Sequence, residues 1–450
     1  MKLIRFTVRN HRSIRDTQTL DMAPKLGSRN RPAQGKTWED ELETSAIIFG
    51  PNASGKSNLI DALEFAIEAI RSSATSWRDR SYFPHFPFEL RDSASIFPSR
   101  YEFDFISSND ERYLYGFEID TRGVREEWLR RVAKIRWSTC FHRIVDEDGD
   151  DTVWNDSFIS KTEQNALGNY QQTELILSAA YRNNIRPLSI IASEIFQTSI
   201  IGSGSGSVSS RVDSIVTSLI NGKISRSDLL EMLRAADFGI NNITVNEAKI
   251  PKEAFDVLQK FIEAVESSSE HQLPSAKPSE ISDVVYNLVF KHVGENGKPY
   301  ELRFIDESDG TQAWISVAPR IIDVLRQGGI FVADELDASL HQSLIEMIIQ
   351  LFTNDINNPH GAQLILSTHN TNILEHRSEL GLTSDCFWFV EKDLEGATEL
   401  YDLTGFKTPP DANLERRYLN HRFGALPKTQ PSALRGLILN TPIVETNHEE

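Results

Sequence analysis

The sequence holds only two cysteines, Cys140 and Cys386, far apart and without the spacing of a metal or redox motif. Their scarcity excludes a disulfide scaffold and fits a reducing compartment. Long apolar runs are missing as well, so no stretch is long enough to cross a bilayer. Met1-Lys2-Leu3-Ile4-Arg5-Phe6 passes into polar residues without the apolar segment of a secretory leader. A cytoplasmic protein with no membrane partner is expected. Positive charge is in deficit, 47 Lys plus Arg against 65 Asp plus Glu, for a net charge of −18. A general electrostatic grip on nucleic acid is therefore not expected, although a local basic patch would permit one. Internal repeats and sustained heptads are absent, which argues against a long coiled-coil arm. What remains is an ordinary globular composition and 450 residues, enough for a large core and about two or three domains.

The most informative stretch is Gly50-Pro51-Asn52-Ala53-Ser54-Gly55-Lys56-Ser57, followed by Asn58. Ala46 to Phe49 reads as a buried strand before it. After it, Leu59, Leu63, Ala66, Ile67 and Ile70 fall on one helical face. A glycine-rich turn between strand and helix aims backbone N–H groups and the positive end of the helix at phosphate. Lys56 is expected to reach the β and γ phosphates of ATP, and Ser57 to take a Mg²⁺ position.

Leu3 to Val8 alternates as a strand, Asn10 to Arg15 is a polar turn, and Thr19 to Met22 is a returning strand. Residues 101–105 and 113–119 alternate at period two and predict a hairpin, continued by 124–131 and 135–145. These elements predict a small antiparallel sheet beside the nucleotide core. Thr162 to Ala192 is read as mostly helical, and helical patterns recur at 210–220, 227–236 and 252–266. Gly202 to Ser207 reads as a flexible run and 267–280 as a loop. The expected division is an N-terminal half-domain at 1–149, a helical insertion at 150–282, a C-terminal half-domain at 283–425 and a tail at 426–450. The insertion is expected to carry a partner surface.

Hydrolysis needs a carboxylate on the metal and a group to activate water. Gly329-Ile330-Phe331-Val332-Ala333-Asp334-Glu335 is an apolar strand ending in two acids. Beside a phosphate loop, Asp334 is expected in the Mg²⁺ shell and Glu335 on the attacking water. Asp337 follows in a loop, and then a helix with Leu340, Leu344, Ile348 and Leu351 on one face. Gln363 to Thr368 is a strand ending in His369, placed to sense or hold the γ phosphate. Upstream, Glu307-Ser308-Asp309-Gly310-Thr311 precedes a helical pattern from Gln312 to Arg326, and its Ser and Gly make either a plain N-cap or an anion site.

In this order the motifs resemble those of ABC-type ATPases. The chain is similar to compact bacterial heads related to RecF, SMC and the overcoming-lysogenization-defect ATPases, and especially to the abortive-infection group called AbiL or RloA. The likeness covers 1 to about 145 and about 283 to 425. It rests on Asn10-His11-Arg12-Ser13, the loop from Pro51 to Asn58, Asp334-Glu335-Leu336-Asp337 and Gly361-Ala362-Gln363. Ser367-Thr368-His369-Asn370-Thr371, Trp388 to Lys392 and Arg422-Phe423-Gly424-Ala425 complete it.

The resemblance implies an α/β ABC-type head with an antiparallel side sheet, ATP and Mg²⁺ as ligands, and a head-to-tail dimer or higher oligomer. Ser308, Asp309 and Gly310 would then form a signature acting on the nucleotide at a partner subunit's Lys56. Asp337 would sit in the loop at the dimer seam, and Asn10 and Arg12 would approach nucleotide. The signature departs from the usual pattern, with Ser-Asp-Gly-Thr where many relatives have Ser-Gly-Gly or Ser-Ser-Gly. The glutamine that links core and side sheet in such heads is not singled out by the sequence. No long arm and no nuclease motif is recognisable, and the tail after Gly424 is too short for an effector domain. The implied role is an anti-phage ATPase working through a separate, nuclease-like effector. A RecF-like DNA-repair ATPase binding nucleic acid and a weakly hydrolysing ATP-dependent scaffold are the alternatives.

Overall fold

Two sheets and the helix packed between them organise the computed structural model. It describes residues 1–427 except 81, 93, 148, 169, 203–207, 223, 250–283 and 410–411, together with residue 432. Residues 203–207 of the Gly-Ser run, the helical pattern at 252–266, the loop at 267–280 and most of the tail lie outside the described residues.

The strands are β1 (Lys2–Arg9), β2 (Gln18–Asp21), β3 (Ser45–Phe49), β4 (Ser99–Ile106), β5 (Arg112–Asp120), β6 (Gly123–Ala133), β7 (Arg136–Val145) and β8 (Asp150–Trp154). They continue as β9 (Ser199–Ile201), β10 (Ile240–Lys249), β11 (Val284–Val293), β12 (Pro299–Arg303), β13 (Ile330–Asp334), β14 (Gln363–Thr368), β15 (Phe387–Lys392) and β16 (Thr398–Asp402). The helices are α1 (Lys56–Ser72), α2 (Lys161–Leu167), α3 (Ile176–Arg182), α4 (Leu188–Ile195) and α5 (Val208–Ile220). After these come α6 (Arg226–Ala235), α7 (Asp309–Gln327), α8 (Gln342–Thr353), α9 (Asn372–Glu375) and α10 (Leu414–Leu419).

Among the described residues the core sheet runs β16-β15-β3-β14-β13-β9, parallel except for the antiparallel β15–β16 pair. Its central strands β3, β14 and β13 are buried along their whole length because both faces are covered. Ala46 and Ile48 of β3, with Val332 of β13, pack toward α1 and the side sheet. Ile47, Phe49, Phe331 and Ala333 pack toward α7 and α8 on the other face. The period of two thus splits one strand between two cores.

The side sheet is fully antiparallel, ordered β2-β1-β4-β5-β6-β7-β8. It is larger than the sequence suggested, because the N-terminal strands β1 and β2 join it. Helix α1 packs against both sheets, so Ile60, Phe65 and Ala69 are buried along with the five residues of the expected face. On α8 the buried face is Leu344, Ile345, Ile348, Ile349 and Phe352, and Leu351 is only partly covered.

The middle of the chain differs from a helical insertion opening at 150. Strand β8 extends the side sheet by pairing with β7. Helices α3 and α4 pack on α1, and the three residues of β9 pair in parallel with β13 as the edge of the core sheet. A strand of three residues is too short to display a period, so long-range pairing alone defines it. Strand β10 pairs with β11 and β11 with β12 in a third, antiparallel sheet.

A buried glutamine joins the two main sheets. Gln363 Oε1 accepts from Leu3 N at 2.6 Å, and its Nε2 donates to Leu3 O at 2.9 Å. It starts β14, so this link lies at the opposite end of the strand from His369.

Candidate functional site

Because β3, β14 and β13 are parallel neighbours, the loops at their C-terminal ends converge, the usual place for a ligand in such a sheet. Gly50 to Gly55 leave β3 and turn into α1. Gly55, the N-cap of α1, is left-handed at φ 112°, and a Cβ there would collide with Thr398 Oγ1. A Cβ at Gly50 would strike the carbonyl of Val390 and Ser54 Oγ. The first-turn N–H groups of α1 have no helical partners, and Ser54 Oγ is buried without a partner. An exposed Ser57 stands beside them. A cradle of free donors of this kind fits phosphate.

Lys56 is buried in the middle. Its Nζ donates to Gly50 O at 3.0 Å and Pro51 O at 3.3 Å, and lies 3.4 Å from Glu335 Oε1 and 3.1 Å from His369 Nε2. His369 Nε2 is also 3.0 Å from Glu335 Oε1. One ring nitrogen thus serves both a cation and a carboxylate, accepting from Lys56 when bare and donating to Glu335 when protonated. Burial lowers the Lys56 pKa, and the Glu335 charge opposes it. For Glu335, burial pushes the carboxyl up, but the hydrogen bond from His369 and the Lys56 charge outweigh it, leaving a net lowering.

The backbone of Glu335 is left-handed at φ 52°, an uncommon state for a side chain of this size. Ser367 holds it there: Glu335 N donates to Ser367 O at 3.1 Å and to Ser367 Oγ at 3.0 Å. Ser367 Oγ in turn donates to the buried Asp334 Oδ1. Asp337 Oδ2 accepts from His369 N at 2.8 Å, while its Oδ1 is buried without a partner. The residue types at the loop suit a magnesium nucleotide: carboxylate and hydroxyl oxygens for a hard cation, and N–H groups with one lysine for phosphate.

Ser308 is the N-cap of α7, with Oγ accepting from Thr311 N at 3.2 Å, and Ser308 and Asp309 are exposed. Among the described residues, 308–310 make no hydrogen bond to the phosphate loop of their own chain. Asn10 is buried and occupied elsewhere, donating to Phe97 O at 2.7 Å and accepting from Phe88 N at 3.1 Å. Arg12 lies over Phe86 and pairs with Asp61 on α1 through two nitrogens. His11 bridges Tyr101 at 2.8 Å and the same Asp61 at 2.7 Å, and burial holds its pKa below the ordinary value. Within this chain, Asn10 and Arg12 therefore brace the turn and α1.

Sequence reasoning missed a relay behind the loop. Asn58 Nδ2 donates to Ser13 Oγ at 2.6 Å, Ser13 and Thr398 share a 2.7 Å hydroxyl contact, and Thr398 Oγ1 donates to Ser54 O at 2.9 Å. Within this relay each hydroxyl both accepts and donates, Ser13 from Asn58 to Thr398 and Thr398 from Ser13 to Ser54 O. Thr398 sits on an edge strand with no local signal, so only the fold reveals it. Thr398→Val keeps the shape but removes the hydroxyl. It should cost the loop about 1–2 kcal/mol, read as roughly tenfold weaker ATP binding with an unchanged circular dichroism spectrum. Parental affinity would show that the relay does not hold the loop.

A family model described as "AAA domain, putative AbiEii toxin, Type IV TA system" matches residues 45–194 and 198–375. No curated protein matches the sequence significantly. Among solved structures, the chain is similar to an SMC head bound to the C-winged helix domain of ScpA, at 11% identity and a TM-score of 0.45, covering 89% of this chain and 97% of that one. The SMC head domain from Thermotoga maritima follows at 13% identity and a TM-score of 0.36, covering 89% and 99%. The recombination mediator RecF with ATP, of the RecFOR pathway, is 10% identical with a TM-score of 0.35, covering 89% and 97%.

Proposed function

This chain belongs to the AAA-domain family whose description includes the AbiEii toxin and the type IV toxin–antitoxin system, and we propose that it is a Mg²⁺-dependent ATP-hydrolysing switch of ABC type. The observation that carries the reading is the meeting of Lys56, Glu335 and His369 within 3.4 Å at the ends of neighbouring strands. Ser57 and Asp334 would hold Mg²⁺, which supplies charge neutralisation for the phosphates. The loop N–H groups and Lys56 take the phosphates of ATP.

Lys56 then exchanges the Gly50 and Pro51 carbonyls for phosphate oxygens. Glu335 loses much of its stabilising cation, so its affinity for a proton rises just where a water must be deprotonated. His369, anchored through its backbone by Asp337, stays in reach of both the water and the γ phosphate. The Ser308-Asp309-Gly310 end of α7, exposed at Ser308 and Asp309, completes the site of a second subunit in a head-to-tail dimer. Against a scaffold that does not hydrolyse stand the Glu335 and His369 positions, which meet at Lys56.

Within this reading the biological role is the ATPase component of an abortive-infection system of the AbiL or RloA kind, delivering its effect through a separate effector. The test is phosphate release from Mg-ATP at increasing protein concentration. Activity per subunit should rise with concentration as dimers form and then level off. No release at any concentration would overturn the proposal, and a constant rate per subunit would remove its dimeric part.

A further inference from the structure

A cleft of about 970 Å³ lies at the other end of the core sheet from the phosphate loop. The turns at 107–111 and 131–134 of the side sheet, the loop at 30–39 and the N-terminal approaches to β13 and β14, at Gly328 and His360, all line it. Both main sheets and the end of α7 therefore meet around one opening.

Its charge runs against that of the chain. In a molecule of net charge −18, the lining contains Lys2, Arg31, Lys36, Arg112, Arg131 and Lys134 against Glu39, Asp110 and Glu111. Lys2 is answered by Glu39 at 2.9 Å and Arg112 by the buried Asp104. Arg131 lies over the Phe158 ring, its one ion pair among the described residues is a 3.9 Å contact with Glu111, and its Nε is buried without an acceptor. Arg31, Lys36 and Lys134 are exposed and form no ion pair among the described residues. Gathering like charges around a concave wall costs energy through repulsion, which an anionic occupant relieves.

We propose that this cleft binds an acidic segment of a partner protein. A peptide fits the wall better than a nucleic acid strand does. Gln197 offers its amide to a peptide backbone, Asn30 and Gln327 offer their amide oxygens while their Nδ2 and Nε2 donate to Ile135 O and Asp323 Oδ1, and Asp110 can accept from a peptide N–H but would repel a phosphate. Bases seek successive exposed aromatic faces, and of the two rings in the lining Trp38 is only 8% exposed, which leaves the single exposed imidazole of His360. Discrete carboxylates on a partner can be spaced to meet Arg31, Lys36 and Lys134 while avoiding the acids between them. The occupant would also touch Gln327 and Gly328, where α7 ends, and α7 begins at Ser308. One helix about 28 Å long, with Pro319 in its interior, thus connects the cleft with the proposed signature.

The test uses the full chain, a fluorescein-labelled oligoglutamate peptide and a labelled oligothymidylate, followed by anisotropy. The parent should bind the peptide in a salt-sensitive way, and oligothymidylate more weakly. Combined Arg31→Glu, Lys36→Glu and Lys134→Glu should weaken peptide binding by about tenfold or more. The three side chains are exposed and outside the nucleotide site, so folding and phosphate release should stay parental. The proposal is overturned if the parent does not bind the peptide, if the triple variant binds equally well, or if oligothymidylate binds more tightly than the peptide.

Discussion

Glu335→Gln should bind Mg-ATP as the parent does and turn it over at least about a hundredfold more slowly, the scale expected for loss of a positioned general base. Glutamine keeps the size of the side chain and can still hydrogen-bond His369. The backbone of residue 335 is fixed by Ser367 through both its carbonyl and its hydroxyl, independently of the side chain. The substitution removes the negative charge 3.4 Å from Lys56. That frees the ammonium for phosphate, so affinity should hold or improve while chemistry fails. Single-turnover phosphate release separates the two steps. A parental rate would move the base elsewhere.

The second large effect concerns assembly. Ser308→Arg should abolish hydrolysis although Ser308 makes no described bond to its own phosphate loop. Loss of the N-cap costs only about 1 kcal/mol, too little to unfold a core of this size. The cause would be a bulky side chain driven against a partner's nucleotide. Lys56→Ala should also be inactive, for want of phosphate binding. Mixed in equal amounts, the two variants should recover about a quarter of parental turnover, since half the dimers are mixed and each has one intact site. Full activity of Ser308→Arg alone would place the signature elsewhere, and no recovery on mixing would argue against a composite site.

The parts of this arrangement that sequence could reveal are those encoded within a few neighbouring residues. The loop from Gly50 to Ser57 sits between a period-two run and a helical run, and the acids at 334 and 335 directly end an apolar strand. What sequence could not reveal depends on residues brought together across the chain. Thr398 reaches Ser54 O, and Gln363 reaches Leu3, over separations that no local pattern encodes. Buried Glu127 of the side sheet accepts from Ile176 N at 2.7 Å and Leu177 N at 3.1 Å, supplying α3 with the cap its own sequence lacks. The same limit explains the middle region. Helical periodicity was visible there, but the pairing of β8 and β9 into two separate sheets was not. Asn10 and Arg12 are a different case, because the family resemblance pointed them at nucleotide while their side chains are engaged in holding the turn.

Lys56, held by Glu335, His369 and two loop carbonyls, marks the proposed ATP site, and calorimetric titration of Mg-ATP into the parent and into Lys56→Ala probes it. One ATP should bind per parental subunit, and Lys56→Ala should bind at least about tenfold more weakly, the loss of more than one kcal/mol expected from a phosphate-directed charge. Equal affinity in the two proteins would mean that ATP does not bind at Lys56.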